Sequence, residues 1–352
     1  MTKTTIDQIT APASVRVRTL DAQMSEYTGT HFLPENDADL IVPDFSRCER
    51  VEFPAIDGST IVGNLYRPKG VSGAAPAVAI CGPISAVKEQ VVPSYAERLA
   101  DAGYLCVTFD PRRFGESGGA PRGYYNPEDV IADFHATVRY LFGRDDVDTN
   151  AVSALGVCMG GGFAVSLGAR EHRLKSVVAV AGGYNIGGTF QKMMGVDGYG
   201  EFIAGTNATV QKQVDTGELQ TIPTIAKSQD ETAVMPNPEA YSFYHRTSNS
   251  YAPNWNPDMP VQSLEPYLAY NAVAEAPLVA PTPLMIIHGT LDVFLLPEFA
   301  QAAYDAAQGS KELVWIDTHN HIELYDQAPY VNVAVEHALR WLGLDTPKSA
   351  SE

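Results

Sequence analysis

One cysteine near the middle of the chain stands in a segment whose residue types suit nucleophilic catalysis. Residues 156–160 read Gly-Val-Cys-Met-Gly, after a strand-like run at 151–156 and before a run of small residues. This pattern is typical of a tight strand-to-helix turn that carries a nucleophile. The N-terminus of the following helix favours a thiolate. We therefore expect Cys158 to be catalytic, the alternative being a small buried hydrophobic residue.

A nucleophile of this kind needs a histidine and a carboxylate, and both types follow in the chain. Asp292 comes just after the strand-like run 283–288, and His319 and His321 follow the last such run, 312–317. The order nucleophile, acid, histidine is that of one class of triad enzymes. His319 lies close to the strand exit, whereas His321 lies further along the loop, so we expect His321 to reach both partners.

Acyl chemistry also requires two N–H groups that stabilise the oxyanion of the intermediate. One comes from the residue after the nucleophile, Met159, and the other from the loop after the first strand of the core, residues 82–90. Pro83 has no N–H group, so Ile84 is the expected second donor.

These residues must be positioned by a sheet, and apolar runs of strand length alternate with helical segments along the chain. This alternation is typical of a mostly parallel sheet with helices on both faces. A hairpin signal at Asp57-Gly58, between runs 50–54 and 60–67, predicts an antiparallel start to the sheet. Asn126 and Pro127 predict the beginning of a helix. The expected core strands are residues 75–81, 104–109, 151–156, 174–181, 283–288 and 312–317.

The alternation is interrupted in the second half of the chain, where prolines and aromatic residues become frequent. We predict an N-terminal arm at residues 1–45, a core formed by 46–185 and 276–345, and a lid inserted at 186–275. The lid aromatics Tyr244 and Trp255 are candidates for substrate contact. The alternative is that they form a small core within the lid.

Composition limits the classes of function. The 352 residues are 45% apolar and 19% charged, and the net charge of −18 argues against a nucleic-acid partner. The sequence shows neither a signal peptide nor a run of roughly 18 apolar residues, so we expect a cytoplasmic protein without a membrane partner. The four cysteines lack metal-ligand spacing and are expected to be free thiols. We expect no metal and no organic cofactor.

At these residues the chain resembles the α/β-hydrolase superfamily, and within it the dienelactone-hydrolase-like branch, in which a cysteine can occupy the nucleophile position. Residues 110–119 are similar to the loop after a core strand in many such hydrolases. Residues 321–326 resemble the histidine segment of a bacterial and fungal subgroup. The resemblance covers residues 48–343 and implies an α/β-hydrolase fold with His321 as the catalytic histidine. The chain departs from dienelactone hydrolase itself at Gly82-Pro83, where that enzyme has a carboxylate, and in its larger lid.

We predict a hydrolase that cleaves an ester, lactone or thioester of a small molecule through an acyl intermediate on Cys158, with Asp292 orienting His321. Acyl transfer and carbon–carbon bond hydrolysis on the same residues remain open, as does a non-catalytic protein that binds a small molecule. The expected partner is a small-molecule acyl substrate, and a homodimer is left open.

Overall fold

The computed structural model describes Pro34, residues 37–226 and residues 232–343. Most of the predicted N-terminal arm, residues 1–33 and 35–36, therefore lies outside the described residues. The described end of the arm contains two short 3₁₀ helices, Asp37–Asp39 and Phe45–Arg47. Between them the Ile41 N–H donates to the Asp326 carbonyl at 2.7 Å, so this end packs beside the segment that follows His321.

An eight-stranded sheet forms the centre of the protein, with strand order β1-β2-β4-β3-β5-β6-β9-β10. β1 pairs antiparallel with β2, and β2 pairs antiparallel with β4, whereas every other pair in the sheet is parallel. The strands are β1 (Cys48–Pro54), β2 (Thr60–Tyr66), β3 (Ala75–Cys81), β4 (Leu105–Phe109), β5 (Val147–Val157), β6 (Val177–Val180), β9 (Leu284–Gly289) and β10 (Lys311–Ile316). A separate antiparallel pair consists of β7 (Thr221–Pro223) and β8 (Asp258–Pro260).

The central strands are buried on both faces, which explains their nearly continuous apolar sequences. Every residue of β4, β6 and β9 is buried. The predicted strands are confirmed with shifted ends. β5 begins at Val147 rather than Ala151 because Val147 also pairs with Ala75 across a register shift, and β6 is shorter than the predicted run 174–181.

Helices cover the sheet, and one insertion between β6 and β9 interrupts the alternation of strands and helices. α1 (Val92–Asp101) packs against α9 (Ala328–Leu342), and α2 (Pro127–Phe142) packs on α3 (Met159–Gly168). As predicted, the Asn126 side chain caps α2 by accepting a hydrogen bond from the Glu128 N–H at 3.1 Å. The helices are α1 (Val92–Asp101), α2 (Pro127–Phe142), α3 (Met159–Gly168), α4 (Ile186–Thr216), α5 (Pro238–Ser250), α6 (Leu264–Ala269), α7 (Pro297–Ala306), α8 (Glu323–Asp326) and α9 (Ala328–Leu342).

The segment between β6 and β9 contains α4, α5, α6 and the small β7–β8 pair. α4 is kinked at Gly195, whose φ of 73° lies in the left-handed region that glycine adopts readily. We propose that residues 186–275 act as a lid over the carboxyl edge of the sheet and use that name for them below. In the described part of the chain, no helix combines the length and apolar character needed to cross a membrane.

Candidate active site

Cys158 lies in a tight turn between the end of β5 and the beginning of α3. Its φ of 60° and ψ of −127° are unusual for a residue with a side chain, a conformation that costs about 1–3 kcal/mol. The turn depends on its two glycines: a Cβ at Gly156 would lie 1.8 Å from the Gly160 carbonyl oxygen, and one at Gly160 would lie 2.2 Å from the Cys81 carbonyl oxygen. The glycine pattern therefore serves to raise the Cys158 side chain above the sheet edge.

Asp292 and His321 form a buried pair at the same edge of the sheet. His321 Nδ1 lies 2.6 Å from Asp292 Oδ2, and both side chains are almost fully buried. The other carboxylate oxygen, Oδ1, accepts the backbone N–H groups of Phe294 at 2.9 Å and Leu295 at 2.8 Å. Asp292 is thus fixed by the loop after β9, and it holds Nδ1 as the protonated nitrogen, leaving Nε2 free to exchange a proton.

The electrostatics of this pair favour a charged imidazolium. Burial opposes the charged form of His321, but the negative charges of Asp292 and Cys158 outweigh it and raise the pKa of His321 to about 10. Burial likewise opposes ionisation of Asp292, and the facing His321 charge nevertheless holds the pKa of that carboxyl below its usual value. The arrangement therefore places a positively charged imidazole beside the Cys158 thiol.

The two histidines of the final loop have different surroundings. The His319 side chain is 65% exposed, and its Nδ1 lies 3.1 Å from Glu323 Oε1. Its backbone N–H also donates to Glu323 Oε2 at 2.7 Å. His319 therefore braces the loop at the surface, and His321 is the histidine that the fold places against Asp292.

Tyr325 also lies in the site, although it was not predicted from the sequence. Its buried hydroxyl lies 3.1 Å from His321 Nε2, and its ring packs edge-on against the imidazole with centroids 5.0 Å apart. The signal that could have found it is proximity in the chain, since Tyr325 follows His321 by four residues within one short segment. The residue belongs to α8, which begins two positions after His321.

The two expected oxyanion donors, Ile84 and Met159, both line one cavity with Cys158 and His321. Within the described ranges, neither the Ile84 N–H nor the Met159 N–H has an acceptor. Met159 begins α3, so its N–H has no carbonyl one turn earlier in the helix. The two groups are therefore available to a ligand oxygen.

A buried charge network braces the loop that carries Ile84. The Lys88 side chain is 1% exposed, and its Nζ lies 3.1 Å from Asp110 Oδ2 and 2.7 Å from Glu89 Oε1. Lys88 also contacts Glu116, and its backbone N–H donates to Asp110 Oδ1 at 2.7 Å. Burial disfavours the Lys88 charge, yet the surrounding carboxylates raise its pKa above the ordinary value. The network thereby ties the loop after β3 to the loop after β4.

The cavity above Cys158 has a volume of about 260 Å³. Among the described residues that line it, none is Asp, Glu, Lys or Arg. The lid contributes most of the apolar wall, since Phe190, Met193, Met194, Phe202 and Tyr267 belong to it. Such a wall suits an uncharged, apolar group with flexible shape, because methionine side chains adapt to different contours.

Tyr244 and Trp255, the two expected substrate contacts, are not among the residues lining this cavity. Their rings stack on each other with centroids 5.2 Å apart. The Tyr244 hydroxyl donates to the Ile84 carbonyl at 3.4 Å. The structure therefore places this pair where it supports the Ile84 loop, because the two aromatic rings pack against each other and beside the loop.

Comparison with known proteins is consistent with this architecture. The chain is 28% identical to the thiohydrolase aneE of Aspergillus aculeatus over 77% of this chain and 85% of that protein. It is 25% identical to the polyketide transferase claH of Penicillium crustosum, over 85% of this chain and 99% of that one. The solved structure of DcsB in complex with its substrate analogue superposes with a TM-score of 0.71 and 22% identity, covering 84% of this chain and 98% of that chain.

A family model described as serine aminopeptidase, S33, matches residues 89–328, which include the turn at Cys158, Asp292 and His321. The matched region extends from the loop after β3 to the start of α9. The chain therefore belongs to the serine aminopeptidase S33 family of the α/β-hydrolase superfamily.

Proposed function

We propose that the protein is a cysteine-dependent hydrolase that cleaves an ester, lactone or thioester with an apolar acyl group. The observation that carries the proposal is the position of Cys158 on the cavity wall with His321, which is bonded to Asp292 at 2.6 Å. In this reading the chain is similar in chemistry to the dienelactone-hydrolase-like branch. The thiohydrolase among its relatives supports a thioester in particular.

In the first half of the reaction, the Cys158 thiolate attacks the substrate carbonyl carbon. The Ile84 and Met159 N–H groups then donate hydrogen bonds to the carbonyl oxygen as it becomes negative. Protonated His321 gives its Nε2 proton to the leaving alcohol or thiol, while Asp292 keeps the imidazole oriented. The result is an acyl group on Cys158 and a neutral His321.

In the second half, His321 accepts a proton from a water molecule that attacks the thioester carbonyl. Collapse of the tetrahedral intermediate breaks the bond to sulfur, and the acid product leaves while Cys158 returns to the thiolate. The same two N–H groups serve both intermediates. Removing one such donor typically costs about 100- to 1,000-fold in rate.

The cavity sets the class of acyl group. Because its described wall has no charged side chain apart from His321, a charged group would lose hydration there without gaining a partner. A volume of about 260 Å³ exceeds that of a single acetyl group, so we propose a medium-length apolar acyl chain.

Steady-state hydrolysis of a thioester series with acyl chains of two to twelve carbons tests this proposal. Wild-type protein should prefer the apolar chains of intermediate length, and Cys158→Ala should lose at least about 10⁴-fold in kcat/KM. Cys106→Ala is the matched control, since Cys106 is a buried thiol in β4. Full activity of the Cys158→Ala variant would refute the assignment.

Acyl transfer is the second candidate function, and the polyketide transferase among the relatives is the observation that favours it. A thioester on Cys158 can be attacked by an amine or alcohol when the lid limits the entry of water. Adding an alcohol or amine acceptor to the assay distinguishes the two functions. Transfer predicts an ester or amide product at the expense of free acid, whereas unchanged acid formation supports hydrolysis.

A further inference from the structure

The His321 nitrogen that exchanges the proton faces a tyrosine hydroxyl. Nδ1 is bonded to Asp292, Nε2 lies 3.1 Å from the Tyr325 hydroxyl, and the Cys158 thiol is within hydrogen-bonding reach of both the imidazole and the phenol. Cys158 lies close enough to perturb both residues electrostatically. Three groups, the thiol, the phenol and the imidazole, therefore meet at one point in the site.

We propose that Tyr325 is a catalytic residue whose hydroxyl relays the proton between Cys158 and His321 and donates a hydrogen bond to the thiolate. This inference rests on the proposed function, since it assigns a role within the same cysteine chemistry. It adds a fourth residue to the three that the chain order identifies. The tyrosine contacts the reacting sulfur and not only the histidine.

The relay balances without any other reactant. The Cys158 S–H bond breaks as its proton moves to the Tyr325 oxygen, and the Tyr325 O–H bond breaks as its proton moves to His321 Nε2. The phenol is thereby regenerated, the sulfur holds the electron pair of the broken S–H bond, and the imidazole becomes positively charged. In the resulting state Nε2–H donates to the Tyr325 oxygen and Tyr325 O–H donates to the thiolate.

The surroundings of Tyr325 keep its hydroxyl protonated and in place. The side chain is 1% exposed, and burial together with the negative charge of Cys158 raises the pKa of Tyr325 well above its ordinary value. A phenol held neutral in this way can donate to sulfur while it accepts from Nε2–H, and it also lies within hydrogen-bonding reach of the Tyr244 hydroxyl. Phe243 packs edge-on against the ring with centroids 5.1 Å apart, so the ring has little room to turn away.

A purely structural role would predict different behaviour, and Tyr95 provides the comparison. The Tyr95 hydroxyl donates to the Leu324 carbonyl at 2.6 Å, so it holds the same segment of chain without contacting Cys158 or His321. Loss of either hydroxyl removes one hydrogen bond from the segment and should weaken it to a similar degree. Only loss of the Tyr325 hydroxyl should change the reactivity of the thiol.

The experiment measures the pH dependence of iodoacetamide alkylation at Cys158 by peptide mapping in wild type, Tyr325→Phe and Tyr95→Phe. Tyr325→Phe should alkylate about tenfold more slowly at pH 7, and the midpoint of its profile should rise by about one pH unit. Tyr95→Phe should keep the wild-type profile. An unchanged midpoint in folded Tyr325→Phe would overturn the relay, and an equal shift in both variants would assign Tyr325 a structural role only.

A second variant keeps the test valid if Tyr325→Phe does not fold. Replacing Tyr325 with difluorotyrosine preserves the ring and the hydroxyl but makes the hydroxyl a stronger donor, so the midpoint of the alkylation profile should fall. A midpoint at or above that of wild type would overturn the proposal.

Failure of the relay is distinguishable from failure of the proposed function. A Cys158 that alkylates and turns over substrate normally in Tyr325→Phe contradicts only the relay, whereas hydrolysis by Cys158→Ala contradicts both.

Discussion

The carboxyl edge of the sheet and the lid form two sides of one cavity, and their side chains differ in polarity, burial and number of partners. At the sheet edge, polar groups are buried and each is held by several partners, as Asp292 is by two backbone N–H groups and His321. On the lid side, α4 presents Met193 and Met194 to the cavity while both remain more than 40% exposed. One side is fixed and polar, and the other is apolar, adaptable and next to the kink at Gly195.

This difference indicates that the sheet edge carries out the reaction and that the lid determines which substrates bind. Buried polar groups contribute to catalysis only when they are held in position before the substrate arrives, because reorganisation would cost the energy they supply. An apolar wall binds more tightly when it can adapt to the shape of the substrate, because each of its contacts is weak and depends on close fit. Changes at the sheet edge should therefore affect all substrates equally, and changes in the lid should affect some more than others.

The largest expected effect separates the two histidines. His321→Gln should lower kcat/KM by about 10³- to 10⁴-fold on every acyl chain, because both the general base and the partner of Asp292 are lost. His319→Gln should retain activity within a few-fold of wild type, since its side chain is mostly exposed and bonds Glu323. Steady-state kinetics on short and long thioesters measure both. An inactive His319→Gln beside a normal His321→Gln would reverse the assignment.

The next effect concerns the rigidity of the polar side. Lys88→Met should lower the free energy of unfolding by about 3–5 kcal/mol, because it leaves Asp110 buried without its cation. Lys192→Met is the matched control: Lys192 pairs with Glu298 at the surface, so its loss should cost no more than about 1 kcal/mol. Urea denaturation gives both values. Equal stabilities would show that the network does not brace the Ile84 loop.

The lid should give a smaller, selective effect. Phe202→Ala should reduce kcat/KM for a long apolar thioester by about tenfold, the value of a few methylene contacts, and leave acetyl thioesters nearly unchanged. Val214→Ala, on an exposed part of the same helix α4, serves as control and should change neither. A Phe202→Ala variant that loses the same factor on short and long chains would contradict the division between reaction and selection.

A separate expected effect is a pH dependence of stability. The folded-state pKa of His321 is raised to about 10 from an ordinary value of 6.5, so its charged form stabilises the protein fully below pH 6.5. That stabilisation is lost as the pH rises towards 10. The difference in unfolding free energy between wild type and His321→Gln should therefore narrow over this range. A difference that widens with pH would mean that His321 is neutral in the folded protein.

How much of this could be predicted from the sequence differs between the two sides of the cavity. The strands and the turn at Cys158 follow from local patterns, because buried parallel strands need apolar residues and the turn needs glycine at positions 156 and 160. The family model matches residues 89–328, which include the turn and the strands from β4 to β10. Position along the chain was also enough to indicate Asp292 and His321 as neighbours across the sheet edge.

Contacts between distant loops could not be predicted in the same way. Asp110 and Glu116 lie 22 and 28 residues from Lys88 in the chain, and only the fold brings them around its side chain. Aromatic content alone suggested Tyr244 and Trp255 as substrate contacts, whereas three-dimensional packing stacks them on each other. Met193 and Met194 likewise line the cavity just before the kink at Gly195, a position that helical periodicity does not anticipate.

The central claim is that Cys158 carries the acyl group, and intact-protein mass spectrometry tests it most directly. Wild-type protein mixed with an excess of a medium-chain apolar thioester and quenched in acid within seconds should gain the mass of one acyl group. Peptide mapping should place that group on Cys158. The Cys158→Ala variant should gain no mass under the same conditions. Turnover of the thioester by wild type with no acyl group on Cys158, or an equal mass gain in Cys158→Ala, would contradict the account.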